Sequence, residues 1–287
     1  MPSPFTVRPL GLAIGAEAVD LDLSQGLSPE TLAAIEAALV KHEALVLHVP
    51  DLTPAQHLAI AEHFGEPEVH TFFPNLGEGL EQITIIDSKL GDRADMWHHD
   101  ESFLASPPIV TMTQAKILPP CGGDTCWISM TSAYDALSER MKEYLDGLQA
   151  WHDLNRPITA SLRQNAVTHE RYLEIVQMNR RHSHLVVITH PVTGRRRCLS
   201  ARPTPRTSMA WRTQKATPSW PICVRTASKF SLVSAIAGRW VTWCCGTTAA
   251  CCTTPSWTTS RTSAACSARR CLRAARGTPE RRQFPDF

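Results

Sequence analysis

No histidine follows His190, and residues 198–287 hold only two acidic side chains, Glu280 and Asp286. Tyrosine is scarce, with three residues in the chain. No apolar run approaches the roughly 20 residues of a membrane span. The N-terminus lacks the basic start, apolar stretch and small-residue cleavage site of a secretory leader. The expectation is a cytoplasmic protein with no membrane partner. The first 197 residues contain only two cysteines, Cys121 and Cys126. Their spacing is wrong for a Cys-x-x-Cys metal knuckle, and they read as reduced thiols.

What is present is ordinary in bulk and uneven in distribution. A chain of 287 residues suffices for one large domain or two small ones, and 43% hydrophobic content is that of a globular protein. Residues 1–197 carry 15 Lys and Arg against 25 Asp and Glu, a formal −10, while residues 198–287 carry 14 against 2, a formal +12. All 12 histidines lie in the first part and eight of the 10 cysteines in the second. An acidic, histidine-bearing segment and a basic, histidine-free one do not read as parts of one evolved core. The chain therefore divides into residues 1–197 and 198–287.

The stretch that carries chemistry is Trp97-His98-His99-Asp100-Glu101-Ser102-Phe103. On an extended strand, residues two apart point to the same side. His98 and Asp100 can then offer an imidazole and a carboxylate to one metal ion. That is two thirds of a facial triad of two His and one carboxylate, which leaves open positions on Fe(II). Alone, His-x-Asp is a weak signal, since most such tripeptides are surface turns.

Around this stretch the local signals are conventional. Ser28-Pro29 opens a helix, with Ser28 as N-cap and Pro29 in the first turn. Leu32, Ile35 and Leu39 are spaced to face a core. Ala44 to Leu47 reads as a buried strand. Thr53 to Gln56 has capping-box spacing and opens a second helix that ends near Gly65. Further strands are expected over 82–86, 109–118, 124–129 and 185–188, with helical turns over 132–137 and 138–148. Residues 152–183 are polar and show little strand pattern.

Several separated motifs now add up. The metal stretch is followed by Ser106-Pro107-Pro108, Gly122-Gly123-Asp124-Thr125, Ser132-Ala133-Tyr134-Asp135-Ala136-Leu137 and His190-Pro191-Val192-Thr193-Gly194-Arg195. In this order and spacing, residues 5–197 resemble the taurine dioxygenase (TauD/TfdA) family of Fe(II)- and 2-oxoglutarate-dependent oxygenases. The resemblance implies a mainly β fold with flanking helices, a double-stranded β-helix or jelly roll. It implies His98 and Asp100 as metal ligands, Thr125 as a hydrogen-bond donor to the 2-oxoglutarate carboxylate, and His70 and Phe73 beside the substrate. The cosubstrates would be 2-oxoglutarate and O2. Residues 152–183 match a segment that lies over the active site in the family.

After Arg197 the likeness stops. Periodicity disappears, and Thr, Ser, Ala, Arg, Cys and Trp dominate. The family has Trp-Asp-Asn-Arg-x-x-x-His here, then a later Arg that pairs with the far carboxylate of 2-oxoglutarate. Codon degeneracy tests for a shifted frame, taking each codon's third base with the next codon's first two. Cys245 into Gly246 then permits Trp, Gly246 into Thr247 permits Asp, Thr247 into Thr248 permits Asn, and Thr248 into Ala249 permits Arg. Cys252 into Thr253 permits His, at the family's own spacing. Residues 198–287 thus read as a frameshifted, poorly ordered segment, and the jelly roll as incomplete at its C-terminus. Cys244-Cys245 and Cys251-Cys252 look like a zinc cluster only superficially, because adjacent pairs are not the usual ligand spacing.

The primary reading is a dioxygenase that hydroxylates a small organic acid of the sulfonate, sulfate ester or phenoxyalkanoate class, with release of succinate and CO2. The alternative is a catalytically dead, frameshifted family member with a partial metal site. A nucleic-acid binder built on the basic tail is the weakest reading. Dense positive charge binds phosphate without specificity, and the tail contains no recognisable reading module. The expected partner is a small-molecule substrate, with no specific nucleic acid, and homo-oligomerisation is left open.

Overall fold

The computed structural model of the chain describes residues 4–23, 27–49, 51–70, 73–87, 98–117, 125–154, 168–179 and 181–199, together with 233–234, 240–245, 249–250 and 260–266. Trp97, Gly122 to Asp124 and Cys251 to Thr253 lie outside these residues.

The chain opens with β1 (Thr6–Pro9), β2 (Ala16–Val19), α1 (Pro29–His42), β3 (Ala44–His48) and α2 (Pro54–Phe64). Then come β4 (Thr84–Asp87), β5 (Val110–Ala115), β6 (Cys126–Trp127), α3 (Met130–Asp135) and α4 (Glu139–Leu145). The middle of the chain continues with β7 (Gln149–His152), α5 (His169–Met178), β8 (His182–Leu185), β9 (Val187–Thr189) and β10 (Arg196–Cys198). The last third adds β11 (Val233–Ser234), β12 (Trp240–Cys245), β13 (Ala249–Ala250) and β14 (Ser260–Cys266).

Both early helices start where their caps place them. Ser28 Oγ accepts the Thr31 amide at 3.2 Å. Thr53 and Gln56 form a reciprocal box: Thr53 Oγ1 accepts the Gln56 amide at 3.3 Å, and Gln56 Oε1 accepts the Thr53 amide at 2.9 Å. Each bond occupies an amide that the first helical turn would otherwise leave unpaired. The polar 152–183 stretch contains α5, whose N-cap Thr168 accepts the Arg171 amide at 3.2 Å. Tyr172, Ile175 and Met178 recur at three-residue spacing within it, a helical signal that the polar composition of the surrounding stretch obscured.

A seven-stranded sheet runs in the order β1-β2-β3-β12-β5-β14-β4, and a smaller sheet runs β11-β6-β13. Only β2 and β3 pair in parallel among these neighbours. Ile35 and Leu39 of α1 and Ile60 and Phe64 of α2 bury against Leu45 and Leu47 of β3 and Met112 of β5. Burying each such side chain contributes about 1.5–3 kcal/mol. Ala44 alternates to the opposite face of β3, where it packs with Trp127 of the smaller sheet. Two sheets with helices outside one of them is the expected jelly-roll layering.

Four stretches within 233–266 are strands. β12 pairs with β3 through Trp240↔His48 to Cys244↔Ala44, and with β5 through Val241↔Gln114 to Cys245↔Val110. β14 pairs with β5 and β4. Ladder bonds join backbone N–H and C=O groups, which every residue but proline offers in full. Periodicity therefore does not reveal them. No helix among the described residues is long and apolar enough to cross a membrane.

Replacing Thr53 by Ala removes one half of the capping box. The expected loss is about 1 kcal/mol of folding stability, read as a lower urea midpoint with an unchanged denaturant slope.

Candidate metal centre

β5 positions the site through its alternation. Val110 and Met112 face the helices, so Thr111 between them faces the other way. On that side lies the segment that precedes β5. His98 and His99 are irregular, and residues 100–103 form a turn. The expected extended strand through His98 and Asp100 is therefore not what brings them together. The backbone turns at once after Asp100, where Glu101 takes the left-handed region at φ 47°. The amide of Leu104 closes the turn on the Glu101 carbonyl at 3.0 Å.

Within this turn His98 Nε2 lies 3.0 Å from Asp100 Oδ1, with about a third of each side chain exposed. His99 Nδ1 is 2.9 Å from the Asp100 carbonyl, so that nitrogen carries the proton and donates it. Burial alone would raise the Asp100 carboxyl. The His98 hydrogen bond, the neighbouring His98 and His99 charges and a Thr111 hydrogen bond outweigh it and hold the carboxyl at about 2. Asp100 is thus an anion throughout the physiological range, as a metal ligand must be.

Glu101 behaves in the opposite way. It is 8% exposed, and burial, then the Asp100 and Glu68 charges, push its carboxyl up to about 8. His70 Nε2 stands 3.7 Å from Glu101 Oε1. The Phe73 amide donates to His70 Nδ1 at 3.3 Å, which leaves the proton on Nε2. Burial lowers the His70 imidazole to about 4, so it is neutral at pH 7. The His70 and Phe73 rings lie 5.0 Å apart between centroids. Both expected substrate-side residues therefore stand on the loop that meets the metal turn. Thr125 directly precedes β6 and is half-buried.

Three further histidines border the turn and were not singled out from the sequence. His182 and His184 of β8 reach the carbonyls of Phe103 and Leu104. His152 of β7 is 3% exposed and meets His184 edge-on at 5.2 Å. Burial, then the charges of His184 and His99, lower the His152 imidazole to about 4. The available signal was His182-x-His184 on a short strand, which a sequence reading takes for polar surface. Among the described residues no set of three His, Cys, Asp or Glu converges to hold a metal ion. His98 and Asp100 supply two suitable donors, an imidazole and an ionised carboxylate.

Comparison with known proteins follows the same lines. Residues 6–218 match the model of the taurine catabolism dioxygenase TauD, TfdA family. The chain is 33% identical over 197 residues to an alkylsulfatase of Acinetobacter baylyi, covering 67% of this chain and 62% of that protein. It is 32% identical over 197 residues to an alpha-ketoglutarate-dependent sulfate ester dioxygenase of Pseudomonas putida, covering 66% and 64%. The chain thus spans less than two thirds of the length of these relatives. The crystal structure of a taurine dioxygenase from Burkholderia xenovorans superposes with a TM-score of 0.71 at 24% identity, covering 93% of this chain and 90% of that one. That likeness shows the shared fold.

Two outcomes follow from the electrostatics. Replacing Asp100 by Asn is expected to weaken Mn(II) binding at least tenfold in an equilibrium titration. The raised Glu101 carboxyl gives a pH signature in the metal-free protein. Between about 4.5 and about 8 the folded state keeps a proton that the unfolded chain releases. Folding stability should therefore fall as pH rises through that window. Glu101→Gln should flatten the slope, as read by urea unfolding at pH 5 and pH 8.

Proposed function

Because the chain belongs to the TauD, TfdA family of dioxygenases, we propose that its site is that of an Fe(II)- and 2-oxoglutarate-dependent dioxygenase acting on a small organic acid. The candidate class is sulfonates, sulfate esters and phenoxyalkanoates, with succinate and CO2 released. The names of the alkylsulfatase and sulfate ester dioxygenase relatives favour sulfate esters within that class. The observation that carries the reading is the 3.0 Å His98–Asp100 pair in the turn that bears the family's motif. The setting is cytoplasmic, with a small-molecule partner and no specific nucleic acid or membrane partner.

In this reading His98 and Asp100 hold the iron, and Thr125 hydrogen-bonds the cosubstrate carboxylate. Bound iron supplies the activation of O2, with 2-oxoglutarate as the reductant. The protein's own groups do the rest. Asp100 stays anionic down to about pH 2 and balances part of the metal charge. His70 presents a neutral ring with its proton on Nε2, and Phe73 adds an apolar wall beside it. Glu101 keeps its proton at neutral pH and so adds no negative charge beside an anionic substrate.

We further propose that residues after Arg197 are translated out of frame, which makes the dead family member the second reading. The charge segregation and the histidine-free tail support it, as do the codon overlaps at 245–253. The second metal histidine and the carboxylate-binding arginine of the family would then be missing. Charge-assisted hydrogen bonds contribute roughly 1.5–3 kcal/mol each. Losing that clamp alone weakens cosubstrate binding by about tenfold to a hundredfold.

The deciding experiment assays the chain as written beside its frame-restored form, with Fe(II), ascorbate and 2-oxoglutarate. Succinate is followed over a panel of sulfate esters, sulfonates and phenoxyalkanoates. Turnover is expected from the restored protein and little or none from the chain as written. Equal turnover in both overturns the frameshift and the missing-ligand assignment together.

A further inference from the structure

We propose that His182 and His184 are positioning residues that clamp the metal-binding turn from outside it. The proposal rests on the reading of His98 and Asp100 as metal ligands, and its test separates the two. β7 and β8 form an antiparallel pair, with His152 opposite His182 and Ala150 opposite His184. Residues two apart on a strand share a face, so His182 and His184 present their rings to one neighbour. That neighbour is a pair of consecutive backbone carbonyls. His182 Nδ1 lies 2.7 Å from the Phe103 carbonyl, and His184 Nε2 lies 2.9 Å from the Leu104 carbonyl.

A carbonyl only accepts, so Nδ1 of His182 and Nε2 of His184 each carry a proton at these contacts, and His184 also hydrogen-bonds the backbone of Ser102. No backbone amide among the described residues takes either carbonyl as a turn or loop partner. The turn has left them outside any ladder, and an unpaired buried carbonyl is costly. Two imidazole N–H groups some 80 residues away in sequence answer both. The ring of His152 stands edge-on to His184 at 5.2 Å. Its own nitrogens are buried without hydrogen-bond partners, so it serves as packing that holds the His184 ring plane.

The clamp bears on the site because of what it holds. Phe103 and Leu104 end the turn that begins at Asp100, and Glu101 occupies a left-handed conformation that costs a non-glycine residue about 1–3 kcal/mol. Fixing the far end of the turn at two points keeps Glu101 in that conformation. It thereby fixes Asp100 against His98 and Thr111. An apolar pair at 182 and 184 would pack the turn but leave its carbonyls unanswered and its register free.

The test uses matched and mismatched amide replacements in the full-length chain. His182→Asn places an amide nitrogen near the Nδ1 position, and His184→Gln places one near Nε2. His182→Gln, His184→Asn and the two alanine variants do not. The first readout is hydrogen exchange of the Leu104 amide, which closes the turn, in metal-free protein. The second is Mn(II) affinity by electron paramagnetic resonance. The alanine and mismatched variants are expected to speed Leu104 exchange at least tenfold and to weaken Mn(II) binding at least tenfold. His182→Asn and His184→Gln are expected to stay within threefold of the unsubstituted chain on both. Unchanged Leu104 exchange in the alanine variants, or matched amides that perform no better than mismatched ones, overturns the clamp. Absence of Mn(II) binding to both the unsubstituted chain and its frame-restored form overturns the metal reading instead, and the exchange arm still decides the clamp.

Discussion

β5 is the strand on which the architecture and the site both depend. It leaves the metal turn, sends Val110 and Met112 to the helix-side core, and turns Thr111 back toward Asp100. Its two edges are paired by β12 and β14, strands from the last third of the chain. A central strand cannot be left with unpaired edges inside a fold without a large desolvation cost. The support beneath the metal turn is therefore borrowed from the part of the sequence that looks least like the rest. The helices, the layering and the orientation of the turn are all arranged around a strand whose neighbours come from far along the chain.

The parts of the fold that were legible are those specified by a few adjacent residues. Ser28-Pro29 and the Thr53–Gln56 box mark helix starts through contacts only three residues long. The alternation of Val110 to Ala115 marks a two-faced strand. The metal pair was legible as a pair but not as a shape. Nothing in the spacing of His98 and Asp100 distinguishes a strand from a turn, and the backbone reversal at Glu101 is a single dihedral that periodicity does not encode. His70 and Phe73 were placed by family likeness, and their meeting with Glu101 is a tertiary event. His182 and His184 went unnoticed because their partners are backbone carbonyls, which have no residue identity to read.

The electrostatics of the turn show how two neighbouring carboxylates acquire different states. Asp100 and Glu101 are consecutive and close to the same cluster of imidazoles. Asp100 is met by His98, His99 and Thr111, all favouring its charge. Glu101 is turned by its backbone into a drier place, beside a neutral imidazole and in the field of Asp100. One dihedral angle thus separates an anion that can bind a cation from an acid that stays protonated near neutrality. Such a division of adjacent acids is how one short segment provides both a charge and a neutral polar wall.

The left-handed Glu101 also limits what could take its place. A non-glycine residue held there carries a standing cost of order 1–3 kcal/mol, and burial of its carboxyl adds to it. Glycine would relieve both, but it would also remove the carboxyl that stands 3.7 Å from His70. The turn therefore trades local stability for an acid set against that imidazole.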